Sequence, residues 1–104
     1  MTHDVVVSEI IARAAGRGVL SHYCGRAQLC QGDRGMPDLL LVGAYHHAFV
    51  EVKIGRDQLE PEQTAWRHQL QAAGVIFYVV AGDSLTNGVV DRILDFLATG
   101  KHGM

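Results

Sequence analysis

Asp38, Glu51 and Lys53 are the residues of this 104-residue chain whose types and spacing suit chemistry. Each sits in an apolar run of strand type: Gly35-Met36-Pro37-Asp38-Leu39-Leu40-Leu41-Val42 and Ala48-Phe49-Val50-Glu51-Val52-Lys53-Ile54. Successive strand side chains point to opposite faces, so Glu51 and Lys53 share one face while Val50, Val52 and Ile54 share the other and can enter a core. If the two runs are neighbouring strands, Asp38 joins Glu51 and Lys53 at one edge of the sheet. Two carboxylates and an ammonium there suit Mg²⁺, which takes oxygen ligands, keeps several waters and commonly uses one or two protein carboxylates plus substrate phosphate. The Val52 carbonyl is a candidate further ligand. A cation so held activates a water and neutralises charge on a phosphoryl oxygen. Lys53 can orient that water or stabilise the transition state. The chemistry is phosphodiester hydrolysis. Taken alone, Glu51 and Lys53 also fit an exposed ion pair worth ~0–1 kcal/mol, and a Pro-Asp turn is commonplace. The joint pattern is much rarer than either part.

The elements that must position these residues are legible. Val6, Val7, Ile10, Ile11 and Ala14 form an apolar stripe that predicts a helix from about Asp4 to Ala15, ended by Gly16 and Gly18. A strand follows over 19–23, and residues 24–36, with Gly25, Gly32 and Gly35, read as a loop. Strands over about 37–43 and 48–54 are joined at hairpin length by Ala44-Tyr45-His46-His47. A helix starts near Glu60-Pro61, where a missing N–H costs nothing; Trp66, Leu70 and Ala73 share one face and Gly74 closes it. Val75-Ile76-Phe77-Tyr78-Val79-Val80 is expected to be a strand buried on both faces. A last helix is expected from about Ser84 to Ala98, with a mobile tail over 100–104. The order α-β-β-β-α-β-α predicts an α/β domain whose mixed sheet is flanked by helices.

The length fits a single domain over 1–104. With 48% hydrophobic and 19% charged residues, the composition is that of an ordinary globule. No apolar run approaches the ~20 residues of a membrane span, and Met1-Thr2-His3-Asp4 is not the basic start of a signal peptide. The expectation is a cytoplasmic protein without a membrane, its Cys24 and Cys30 reduced. The net charge of −2 neither requires nor excludes a polyanion, because the charge is uneven and salt screens it beyond ~10 Å. His22, Cys24 and Cys30 do not make a familiar zinc spacing.

The motifs resemble those of one nuclease family. Pro37-Asp38 followed by Glu51-Val52-Lys53 is similar to the signature of the PD-(D/E)XK superfamily. The fuller set of Arg34-Gly35-Met36-Pro37-Asp38-Leu39-Leu40, Phe49-Val50-Glu51-Val52-Lys53, Leu59-Glu60-Pro61-Glu62-Gln63-Thr64-Ala65-Trp66 and Ala72-Ala73-Gly74 resembles its VRR-NUC (virus-type replication-repair nuclease) branch over about residues 9–97. The resemblance implies a restriction-endonuclease-like core and a Mg²⁺- or Mn²⁺-dependent deoxyribonuclease leaving a 3′-hydroxyl and a 5′-phosphate. It also implies an acidic residue on the first helix, for which Glu9 fits as a metal ligand, and a glutamine after the lysine strand, matched by Gln63. Compact relatives are phage or bacterial proteins, some of them homodimers that cut branched junctions in recombination and repair. The expected activity is therefore that of a Holliday-junction-resolvase-like homodimer acting on branched or structured DNA. The alternatives are a flap or single-strand nicking nuclease beside a helicase or replication partner, and a DNA-binding module that does not cut. Arg26 and Arg34 beside Asp38, with Arg13 and Arg56, are the candidate phosphate contacts; each is equally an ordinary surface arginine.

Overall fold

The computed structural model describes residues 2–23, 35–55 and 59–101. The element order is α1 (His3–Gly16), β1 (Leu20–Tyr23), β2 (Leu39–Val42), β3 (His47–Val52), α2 (Pro61–Ala72), β4 (Phe77–Val80), a 3₁₀ turn (Gly82–Leu85) and α3 (Val89–Thr99). The four strands form one sheet in the order β1-β2-β3-β4. The first two pairings are antiparallel and the last is parallel. The parallel step requires a crossover, which α2 supplies. This is the mixed α/β architecture that the sequence predicts.

One face of the sheet carries the core. Leu39 and Leu41 of β2, Ala48, Val50 and Val52 of β3, and Val80 of β4 pack with Val6, Val7, Ile10 and Ala14 of α1 and Val90, Ile93, Leu94 and Leu97 of α3. A fully buried Val, Leu or Ile side chain contributes roughly 1.5–3 kcal/mol, so this face dominates the stability. Thr2 starts α1 by accepting a hydrogen bond from the Val5 N–H at 3.3 Å. Two arginines bracket α1 against α3. Arg13 donates to Asp91 at 3.0 Å and to the Leu85 carbonyl at 2.8 Å, while Arg17 donates to Asp95 at 2.7 Å and Asp91 at 2.9 Å.

Two expectations change in detail. β4 lies at the edge of the sheet, and Val79 is 41% exposed, so the apolar run 75–80 is not a strand buried on both faces. A continuous apolar run marks a central strand only when helices cover both sides; here α2 touches β4 yet buries none of its own residues fully. The last helix is split: residues 82–85 are 3₁₀, and Gly88 at φ 89° begins α3 proper. In the link between β2 and β3 the His46 ring stacks on Phe96 at 4.3 Å.

Gly35 fixes the approach to β2. Its φ is +91°, and a Cβ built there would lie 2.5 Å from the Glu62 carbonyl carbon in the first turn of α2. The glycine thus lets the segment entering Pro37-Asp38 lie directly on the start of the helix that follows Lys53. Gly35→Ala is expected to lower stability by roughly 2–4 kcal/mol, from backbone strain plus the clash, measured by chemical denaturation.

Candidate active site

Register brings the two carboxylates together. Leu39 pairs with Val50 and Leu40 with Phe49, and the same register continued by one residue sets Asp38 opposite Glu51. Asp38 Oδ2 accepts the Val52 N–H at 2.8 Å, which ties the residue before β2 to the end of β3. The Asp38 side chain is 16% exposed and Glu51 only 1%. Lys53 follows at the end of β3, its backbone N–H held by the Val80 carbonyl at 2.9 Å and its side chain half-buried. The core valines on either side of Glu51 fix its backbone, and strand alternation turns its carboxyl to the other face.

Glu51 is electrostatically expensive. Burial, reinforced by the neighbouring Asp38 carboxylate, pushes its carboxyl up to about 9 despite the opposing pull of Lys53. Its Oε2 is buried with no hydrogen-bond partner. Buried polar atoms are nearly always partnered, and the exceptions call for a functional account. A buried carboxylate oxygen aimed at no protein donor, beside a second carboxylate, is a donor set that fits a hard divalent cation. No three His, Cys, Asp or Glu side chains converge as a ready-made cage among the described residues. The protein offers a pair of oxygen donors rather than a closed site.

The other expected site residues fall in different places. Gln63 is in the first turn of α2, where its Oε1 accepts the Glu60 N–H at 2.8 Å. It therefore caps the helix and has its amide nitrogen left to present. Glu9 is not brought to Asp38 and Glu51; its carboxylate accepts from Arg13 Nε at 2.9 Å on an exposed flank of α1. Arg13 is committed to Glu9, Asp91 and the Leu85 carbonyl. Arg26, Arg34 and Arg56, with Cys24 and Cys30, lie outside the described residues.

The α1 residue that does meet the site is His3. Its Nε2 is 3.1 Å from Asp38 Oδ2. The signal was present in the helical spacing: the buried stripe Val7, Ile10 and Ala14, extended back by one turn, lands on His3. Glu9 sits six residues further on, about 9 Å along the axis and about 120° around. Beyond Lys53, an open groove of about 610 Å³ is lined by Ile54, Gly55, Ala81, Gly82, Asp83 and Thr86.

The site thus joins an Asp-Glu pair across an antiparallel step of a four-stranded mixed sheet to a lysine two residues beyond the glutamate. The family model of the VRR-NUC domain matches residues 3–84, and the chain belongs to that family. Solved structures are similar to it, among them two that carry the same domain name. One, a "VRR_NUC domain", has a TM-score of 0.70 and 22% identity, covering 86% of this chain and 94% of its own. The other, a "VRR_NUC domain protein", has a TM-score of 0.66 and 21% identity, covering 94% of this chain and 91% of its own. At such identities the likeness is one of fold. No curated protein matches the chain. Family membership carries a nuclease-type DNA-processing function, in a superfamily whose nucleases typically use divalent metals. Among the described residues, no helix is long and apolar enough to cross a membrane.

Proposed function

We propose that this chain is a divalent-metal-dependent endonuclease that hydrolyses phosphodiesters in branched or structured DNA, working as a homodimer. The observation that supports it most is the Asp38–Glu51 pair, which leaves one buried carboxylate oxygen of Glu51 without a protein partner. A bound Mg²⁺ or Mn²⁺ would supply charge neutralisation at the phosphate and a lowered pKa for the attacking water. Asp38 and Glu51, with the Val52 carbonyl, would hold the ion. Lys53 orients the attacking water and offsets the charge that develops on the phosphoryl group. Gln63 presents its amide N–H to a water or phosphate oxygen while its carbonyl stays on the helix cap. Arg26, Arg34 and Arg56 are the proposed phosphate contacts; backbone contacts of this kind read DNA shape rather than sequence. A twofold pair would set two such sites on the two strands of a junction.

The test is a panel of labelled junction, flap, duplex and single-stranded DNA incubated with Mg²⁺, Mn²⁺ or EDTA, with oligomeric state measured in parallel. Metal-dependent cutting of junctions by a dimer is the expected result. Cutting of flaps or single strands instead would move the assignment to a nicking nuclease beside a replication partner. Binding without any metal-dependent cutting would sink the hydrolase reading.

A further inference from the structure

We propose that His3 is a positioning residue of the site, holding Asp38 in the rotamer from which it serves the cation; this rests on reading Asp38 and Glu51 as the metal-holding pair. His3 Nε2 lies 3.1 Å from Asp38 Oδ2, the same oxygen that accepts the Val52 N–H at 2.8 Å. That oxygen therefore has one donor from β3 and one from α1. Since a carboxylate only accepts, the imidazole nitrogen facing it is the one that carries the hydrogen. With Oδ2 fixed from two directions, the carboxylate plane is set and Oδ1 is the oxygen left for Glu51 and the cation.

The imidazole is itself anchored. His3 is the first residue of α1, whose next turns are locked into the core by Val6, Val7 and Ile10. At the next residue, Asp4 Oδ1 accepts from the Tyr23 hydroxyl at 3.4 Å, which ties the N-terminus of α1 to β1. The contacts run from β1 through the α1 N-terminus to Asp38, so the position of α1 on the sheet is transmitted to a proposed metal ligand. Residues that orient ligating carboxylates typically alter metal affinity by 10–100-fold when removed. Glu9, engaged with Arg13 on another face, is not part of this chain of contacts.

The experiment is Mn²⁺ titration of the intact protein without DNA, followed by electron paramagnetic resonance, with thermal melting of each metal-free variant. His3→Ala is expected to weaken Mn²⁺ binding by about 10–100-fold. His3→Gln, which keeps an N–H donor, is expected to recover most of the affinity, and Glu9→Gln to bind like the parent. Parent-like binding by His3→Ala would overturn the proposal, as would a loss that His3→Gln does not relieve. A nitrogen coupling from His3 in the spectrum of the bound Mn²⁺ would also overturn it, by making His3 a ligand. Asp38→Asn is the separate control: if it too binds like the parent, the reading of Asp38 and Glu51 fails, whereas loss in Asp38→Asn with none in His3→Ala removes only the role of His3.

Discussion

Glu51→Gln is expected to abolish cleavage and, at the same time, to stabilise the metal-free protein above about pH 5. The two outcomes share one cause. Glu51 is 1% exposed, and burial beside Asp38 pushes its carboxyl up to about 9. In the unfolded chain the same group titrates near its ordinary 4.5. Between those values the folded state holds one more proton than the unfolded state, so stability falls as pH rises, by at most about 1.4 kcal/mol per pH unit. The contribution is complete below about 4.5 and lost progressively towards about 9. A glutamine has the size of the protonated carboxyl and keeps a donor for Asp38, but it never ionises. The variant should therefore lack this downward slope, and guanidinium denaturation at pH 5, 7 and 9 in EDTA would measure it. An identical slope in parent and variant would show that Glu51 does not hold its proton.

Divalent ions reverse the balance in the parent. Binding needs the ionised carboxylate, so a cation must displace the Glu51 proton, and affinity should rise up to tenfold per pH unit towards about pH 9. Added Mg²⁺ or Mn²⁺ should then stabilise the parent more at pH 8.5 than at pH 6, and leave Glu51→Gln nearly unmoved. Loss of the metal's charge stabilisation, worth several kcal/mol, corresponds to about 10³-fold or more in cleavage rate. The site is thus a place where the fold tolerates an unfavourable group because the chemistry requires it.

This conflict also marks where sequence reasoning ends. The period-2 pattern around Val50 and Val52, the proline at the start of α2 and the hairpin-length link all translate directly into geometry, so β2, β3, α2 and the pairing of Asp38 with Glu51 could be read in advance. Edge position could not: the apolar run 75–80 looks the same whether one or both faces are covered, and only the strand order reveals Val79 as exposed. The split before α3 turned on Gly88 at φ 89°, a conformation that composition permits but does not demand. On α1 the resemblance implies an acidic residue, for which Glu9 fits, whereas the angular position of the apolar stripe brings His3 to Asp38. A helix of fixed phase can offer only one face to the sheet.

Lys53→Ala is expected to lower the cleavage rate by about 10²–10³-fold, as for removal of one preorganised donor, while metal binding persists. Lys53 stands one residue beyond β3, with its backbone fixed by the Val80 carbonyl at 2.9 Å, so truncating the side chain does not unpair the sheet. Its ammonium opposes the upward push on Glu51. Without it the Glu51 carboxyl should rise further while the cation loses a repelling neighbour, so the Mn²⁺ titration of the alanine variant should shift from that of the parent. That shift separates two roles. At saturating Mn²⁺ and pH 8.5 the occupancy difference vanishes, and any remaining rate loss belongs to the attacking water and the charged phosphoryl group. Lys53→Arg retains charge and restores the metal titration, yet its planar fork replaces a compact ammonium, so it should recover only part of the rate. Full recovery of the alanine variant at saturating metal would reduce Lys53 to an electrostatic neighbour of Glu51. Single-turnover rates across an Mn²⁺ series decide between these, because they read the bond-breaking step apart from product release.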